Sequence, residues 1–406
     1  MSILKQPFAP ARLALPVLLA LSAAACAENV SDGLAEAAPQ TASAGVVQTV
    51  LTTATRAQPQ EAAQQWRWQT VATGLNHPWG LAFLPDGRFL ISERSGDLRV
   101  VDAQGRISAP VTGLPKIDVG GQGGLLDVAL DENFADNGRV YFCFSEPGSG
   151  GNSTALAEGI LSPEGGRFSQ VKTLFSQAPK VRSNRHFGCR IALAPGYIYL
   201  GMGDRGSRSE EAQNLGSHIG KIVRLSRNGS VPADNPFVQQ SSARGEIWSY
   251  GHRNIQGMAL DAQGRLWASE HGAQGGDEIN LIAAGKNYGW PVIAYGKDYG
   301  GGQIGAGITA QAGMEQPLYY WDPSMAPSGM AFVGSNPYGS DWRGNLLAGS
   351  LKFGYVARLT LDGERVVREE KINVGERVRD VRQAPDGFIY IVSDSSNGKL
   401  MKLLPR

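Results

Sequence analysis

The chain has 406 residues, and its 38 lysines and arginines nearly cancel its 37 aspartates and glutamates. That balance excludes an electrostatic tracking surface for nucleic acid, while the length is enough for one or two sizeable cores. Its 53 glycines and eight tryptophans suit many short strands and tight turns better than a helical bundle.

In chain order, the first element is "MSILKQPFAPARLALPVLLALSAAAC", with Lys5 and Arg12, an apolar run over 13–21 and small residues before Cys26. The run is too short to span a membrane and reads as an export signal over 1–26, which predicts a periplasmic protein. The residues before Cys26 are similar to a bacterial lipoprotein signal, which would put a lipid anchor on Cys26 and attach the protein to the outer membrane. Ordinary cleavage near the alanines is the alternative. Residues 27–63, rich in Ala, Gln, Thr and Glu, read as a flexible low-complexity leader. The folded domain is then 64–406.

From Trp66 onward one pattern recurs six times: "LAFLPDGRFLISE", "VALDENFADNGRVYFCFSE", "IALAPGYIYLGMGD", "MALDAQGRLWASE", "MAFVGSNPYGSDWRGNLLAGS" and "VRQAPDGFIYIVSD". Each is an alternating strand, a turn with glycine, and a second strand ending near a polar residue. A further alternating unit follows each copy, from "DLRVVDAQG" to "GKLMKLLP". The copies are unevenly spaced, as insertions between equivalent units would make them. Sheets that cannot each bury both faces alone should pack radially, which predicts an all-β, six-bladed propeller of four-stranded antiparallel sheets. "WRWQTVATG" (66–74) would complete the last sheet and close the ring by pairing the N- and C-terminal strands.

A propeller gathers equivalent loops at one mouth of its channel. "GQGG" (121–124), His186, "YGHRN" (250–254) and "ERVRD" (376–380) each precede a first strand, and Glu93, Asp204, Glu270 and Asp394 end second strands. His186 reads either as a structural histidine or as a base with Asp204 as its partner.

"GQGGLLDVALDENF", "RHFGCR" with "GMGDRG", "EIWSYGHRNIQGMAL", "SEHGAQGGDEINLIAAGKNYGWP", "MEQPLYYWDPSMAPSGM", "SLKFG" and "GERVRDVRQAPDG" carry a resemblance over about 70–405. The chain resembles the soluble quinoprotein glucose/sorbosone dehydrogenases, and most closely their bacterial aldose sugar dehydrogenase branch. The resemblance implies an oxidoreductase that uses pyrroloquinoline quinone (PQQ) and calcium to oxidise the anomeric hydroxyl of aldoses to a lactone. Electrons would pass on to a periplasmic or artificial acceptor.

The chemistry requires a base for the hydroxyl proton, and an imidazole's basicity lies near the operating pH. The resemblance makes His186 that base and Asp204 the carboxylate that fixes its tautomer. It also makes Arg253 the guanidinium over the developing negative charge, Asn254 a cofactor contact, and Gln122 a contact beside His186. Lys352, Arg377 and Arg379 would hold the carboxylates of the cofactor, the last two facing one side of an extended segment. His271, Tyr320, Trp321 and Ser324 would lie near the quinone. The Gly272 and Ala273 carbonyls would hold the calcium that chelates it, and Glu278, the Tyr288 carbonyl and Asp298 a second calcium.

Three positions depart from the glucose-oxidising members: Arg185 stands where they carry an acid, Ala273 where they carry proline, and His271 where they carry glutamine. A broad aldose specificity follows. Cys143 and Cys189 lie in adjacent blades and read equally as a disulfide or as two buried thiols. A calcium-dependent propeller lactonase and a non-catalytic carbohydrate-binding propeller are the competing readings. The first needs no triple cationic clamp, and the second needs no His186–Asp204 pair.

Overall fold

In the computed structural model, six small antiparallel sheets succeed one another along the chain. It describes residues 54–61, 65–335 and 337–406; the export signal over 1–26, Cys26 and the leader up to 53 lie outside the described residues. The sheets begin with the inner strands Pro78–Phe83, Leu125–Leu130, Gly188–Ala194, Ile255–Leu260, Pro327–Phe332 and Val378–Gln383, which we number as blades 1 to 6. Each inner strand packs beside the next and the sixth returns to the first, so the expected six-bladed propeller forms. Trp66–Leu75 pairs antiparallel with Gly398–Pro405 and closes the ring in blade 6.

Alternation within single strands builds the core between blades. In Arg139–Gly148, Val140, Phe142 and Phe144 pack with Leu90 and Leu98 of blade 1. Tyr141 and Cys143 face the other way, toward Ile191, Ile198 and Leu200 of blade 3. Period-two patterning thus feeds two adjacent cores from one strand. Cys143 and Cys189 form a disulfide across this second interface, with a Cα–Cα distance of 5.7 Å.

Not every sheet has the four strands expected. Blade 1 has three, ending with Leu98–Val101. The following stretch contains Pro110 and Pro115, which lack the N–H a further ladder would need. Blades 4 and 5 gain a fifth, parallel edge strand from Thr55–Arg56 and Pro59–Glu61. In the sequence that segment reads as part of the low-complexity leader, because strands this short carry no periodic signal. It lies across the outer edges of two neighbouring blades.

The third residue of each inner strand occupies one layer of the channel: Gly80, Asp127, Arg190, Gly257, Gly329 and Asp380. Arg190 Nη1 lies 3.0 Å from a carboxylate oxygen of both Asp127 and Asp380, and Arg382 bridges the same two carboxylates. A Cβ on Gly329 would stand 1.8 Å from Asp380 Oδ1, so glycine there makes room for the charged cluster. These residues fill the waist of the channel.

Candidate active site

A cavity of about 1250 Å³ opens at one end of the channel, and the loops that enter the inner strands of all six blades line it. His186 is not itself a lining residue, but Phe187 and Gly188, which follow it, are; its φ of 48° is a left-handed conformation that turns the chain just before the inner strand of blade 3. The His186 Nδ1 lies 2.6 Å from Asp204 Oδ1. The Gly206 N–H and the Trp290 indole N–H also donate to Asp204, at 2.7 and 2.8 Å. Burial alone would raise the Asp204 pKa. The His186 hydrogen bond and the charges of His186 and Arg253 outweigh that effect and hold the carboxyl below the usual range. An ionised Asp204 accepts the Nδ1 proton, which leaves Nε2 as the ring's basic atom. Gln122 fixes the backbone of this turn, accepting from the His186 N–H at 2.7 Å.

Across the cavity the charges do not balance. Arg379 Nη2 donates to Asp394 at 2.8 Å, Arg377 Nη2 at 3.3 Å, and Arg94 stands 3.9 Å from the same carboxylate. His77 Nδ1 is 2.9 Å from it as well. Burial would raise the Asp394 pKa, but Arg379, the His77 bond and Arg94 drive it well below the usual range. Lys352 lines the same wall. Of the charged side chains lining the cavity, Arg94, Lys297, Lys352, Arg377 and Arg379 outnumber Asp322 and Asp394, which leaves a positive surface suited to a ligand with several carboxylates.

The glycine-rich stretch after Glu270 forms a carbonyl cradle. A Cβ on Gly272 would meet the Gly275 and Gly276 carbonyl oxygens at 2.2 and 2.4 Å. Gly272 is fixed by donating to Asp277 at 2.8 Å, and its carbonyl accepts from Arg253. Ala273 continues this stretch into the cavity lining. Backbone carbonyl oxygens are ligands that a hard cation takes, and the Gly272 carbonyl already faces the cationic Arg253. Behind them, burial and the Glu270 charge raise the Glu278 pKa well above its ordinary value, while Asn280 Oδ1 is buried without a hydrogen-bond partner. A cation at Glu278 would relieve the repulsion from Glu270. No group of three His, Cys, Asp or Glu side chains suited to a metal occurs among the described residues, so any cation here would depend on backbone oxygens.

The family model for glucose/sorbosone dehydrogenases matches residues 75–402. The chain belongs to the glucose/sorbosone dehydrogenase family. It is 44% identical over 339 residues to aldose sugar dehydrogenase YliI of Escherichia coli, covering 82% of this chain and 91% of that protein. The apo structure of the soluble E. coli aldose sugar dehydrogenase superposes with a TM-score of 0.81 at 42% identity, covering 84% of this chain and all of that one. The PQQ-bound aldose sugar dehydrogenase of Streptomyces coelicolor superposes with a TM-score of 0.68 at 29% identity, covering 83% of this chain and 98% of that one.

Some of the residues expected from the sequence line this cavity, whereas His186, Asp204, Arg253 and Gly272 are not among its lining residues. Gln122, Asn254, His271, Ala273, Ser324, Lys352, Arg377 and Arg379 line it. Asn254 accepts from the Gly188 N–H at 3.1 Å, and Ser324 donates to Asp277 at 2.7 Å. His271 Nε2 lies 2.7 Å from the Pro327 carbonyl, and burial, then Arg253, push its pKa down to about 3. It is therefore a neutral donor. Arg253 lies under the carbonyl cradle, 5.2 Å from the Trp290 ring.

Trp321 and Tyr320 do not line the cavity. Strand alternation turns the Trp321 indole into the core, where it donates to Glu369 at 3.0 Å, while Tyr320 stacks on Tyr295 at 4.2 Å. Glu278 and Tyr288 share a small cavity under the cradle, but Asp298 lies on an exposed loop outside its lining. Sequence reasoning missed His77, Trp79 and Arg94. "NHPWGLAF" enters an inner strand as "RHFGCR" does, and His77 repeats the left-handed turn of His186 with φ of 49°. That equivalence was the available signal.

Proposed function

We propose that the protein oxidises the anomeric C1 hydroxyl of aldose sugars to the lactone, with PQQ and calcium as resident cofactors and a periplasmic or artificial acceptor taking the electrons. The observation that carries this reading is the His186–Asp204 pair, 2.6 Å apart, with Phe187 and Gly188 after it lining a cavity that Arg94, Lys352, Arg377 and Arg379 also line. His186 Nε2 takes the hydroxyl proton. Asp204 holds the ring in the required tautomer and stabilises the imidazolium, while Trp290 and Gly206 keep Asp204 from turning away.

Lys352, Arg377 and Arg379 would hold the cofactor's carboxylates, and the Gly272 and Ala273 carbonyls would hold its calcium. When bound, PQQ supplies the two-electron acceptor for the hydride leaving C1, so that loss of one proton and one hydride converts the hemiacetal to the lactone. His271, neutral throughout the working pH range, contributes a cavity wall without adding charge. The exposed Arg185 offers no carboxylate to sugar hydroxyls, which supports a broad aldose specificity.

The test is reconstitution. Apoprotein mixed with PQQ and calcium should reduce an artificial dye with several aldoses, and omission of either addition or a chelator should abolish the activity. Dye reduction that persists in verified apoprotein without the quinone would overturn the reading.

A further inference from the structure

A second imidazole meets the main cavity. His77 enters the inner strand of blade 1 through the same left-handed turn that His186 makes before blade 3, with φ of 49° against 48°. Its backbone is held from both sides. The His77 N–H donates to the Ser395 carbonyl of blade 6 at 2.7 Å, and the His77 carbonyl accepts from the Arg94 N–H at 3.0 Å. Both rings set Nδ1 against a carboxylate, His186 on Asp204 at 2.6 Å and His77 on Asp394 at 2.9 Å. Their surroundings differ. The His186 side chain is 10% exposed, whereas that of His77 is 36% exposed and lines the cavity directly.

The charged groups grouped with His77 are Asp394, Arg377 and Arg379 from blade 6 and Arg94 from its own blade. Glu93, in the same turn, is taken up by the Asn76 N–H and by Arg99. Asp394 already accepts from Arg377 and Arg379, so its charge needs no imidazole to compensate it. As an ionised acceptor it takes the Nδ1 proton of His77. Nε2 makes no hydrogen bond among the described residues and is the nitrogen that gains a proton in acid. A second base has no task here, because the hemiacetal gives up one hydroxyl proton and His186 takes it. A protonated His77 instead adds a donor and a positive charge to a wall already suited to carboxylates. We infer that His77 is a further anchor for the carboxylates of the cofactor, active only while its ring carries the second proton. An anion bound there favours the protonated ring, so affinity rises as the pH falls and declines as the pH rises. The inference rests on the reading of this cavity as the cofactor site.

The experiment titrates full-chain apoprotein with PQQ at fixed calcium, followed by quenching of tryptophan fluorescence at pH 5.5 and pH 8.5. His77→Asn keeps a residue that tolerates the left-handed turn and removes the titrating group. It should bind PQQ roughly three- to tenfold more weakly than wild type at pH 5.5 and equally at pH 8.5. His77→Lys, charged at both values, should match wild type at pH 5.5 and exceed it by a similar factor at pH 8.5. Comparison with wild type cancels the pH dependence that His186 and other groups contribute. Equal affinity of all three proteins at pH 5.5, or an Asn variant weakened equally at both pH values, would overturn the anchor. PQQ that binds none of the three would overturn the cofactor reading and the anchor with it. The expected binding contrast in a loaded enzyme that oxidises no sugar would overturn the functional reading and uphold the anchor.

Discussion

The channel carries charged clusters at two levels, and they differ in one respect. At the waist, two carboxylates (Asp127 and Asp380) meet two guanidiniums (Arg190 and Arg382), with Asp127, Asp380 and Arg190 no more than 1% exposed. At the mouth, Arg94, Arg377 and Arg379 share Asp394, and Lys352 adds a further positive charge. The waist compensates itself and so holds blades together. The mouth has a positive surplus, which suits an anionic ligand. In a propeller, where equivalent positions recur, charge balance separates structural clusters from binding ones better than burial does, because Arg379 is itself only 8% exposed.

The comparison is broken most severely at His186. His186→Ala should lower sugar-dependent reduction of bound cofactor by roughly 10²–10⁴-fold, with cofactor and calcium affinity nearly unchanged. Rapid mixing without an electron acceptor reads this half-reaction, and near-wild-type rates would remove His186 from the role of base.

Next comes a paired test of waist and mouth. Arg190→Ala leaves two buried carboxylates with half their compensation and should cost roughly 3–5 kcal/mol of stability. Arg377→Ala, at a half-exposed side chain, should change stability little and weaken cofactor binding about tenfold. Denaturant midpoints and cofactor titration distinguish the two. A mouth variant as unstable as the waist variant would erase the distinction.

The smallest expected effect concerns pH. Asp394 is held below the usual carboxylate range, so its stabilisation is present above the ordinary pKa of about 4 and fades as the pH falls below that value. The Tm gap between wild type and Asp394→Asn should be largest near neutrality and narrow on acidification from pH 5 to pH 2. A gap that widened in acid would reverse the assigned direction.

The sequence by itself determined the propeller, because strand alternation and glycine turns are local and repeat visibly from Leu81 to Asp394. The family resemblance, rather than periodicity, pointed to His186 with Asp204 and to Arg377 with Arg379; the first pair flanks one hairpin of blade 3 and the second lies at the start of the inner strand of blade 6. Only the tertiary structure decided what crosses between blades. It paired Cys143 with Cys189, brought His77 and Arg94 of blade 1 to Asp394 of blade 6, and set Trp290 against Asp204. It turned Trp321 away from the cavity, a direction fixed by register against Asp277 rather than by composition. It also placed 54–61 along two blade edges, where pairing comes from the partner strands and leaves no pattern in the segment itself. Short-range periodicity is written along the chain, whereas hydrogen bonds between residues tens or hundreds of positions apart depend on how the ring closes.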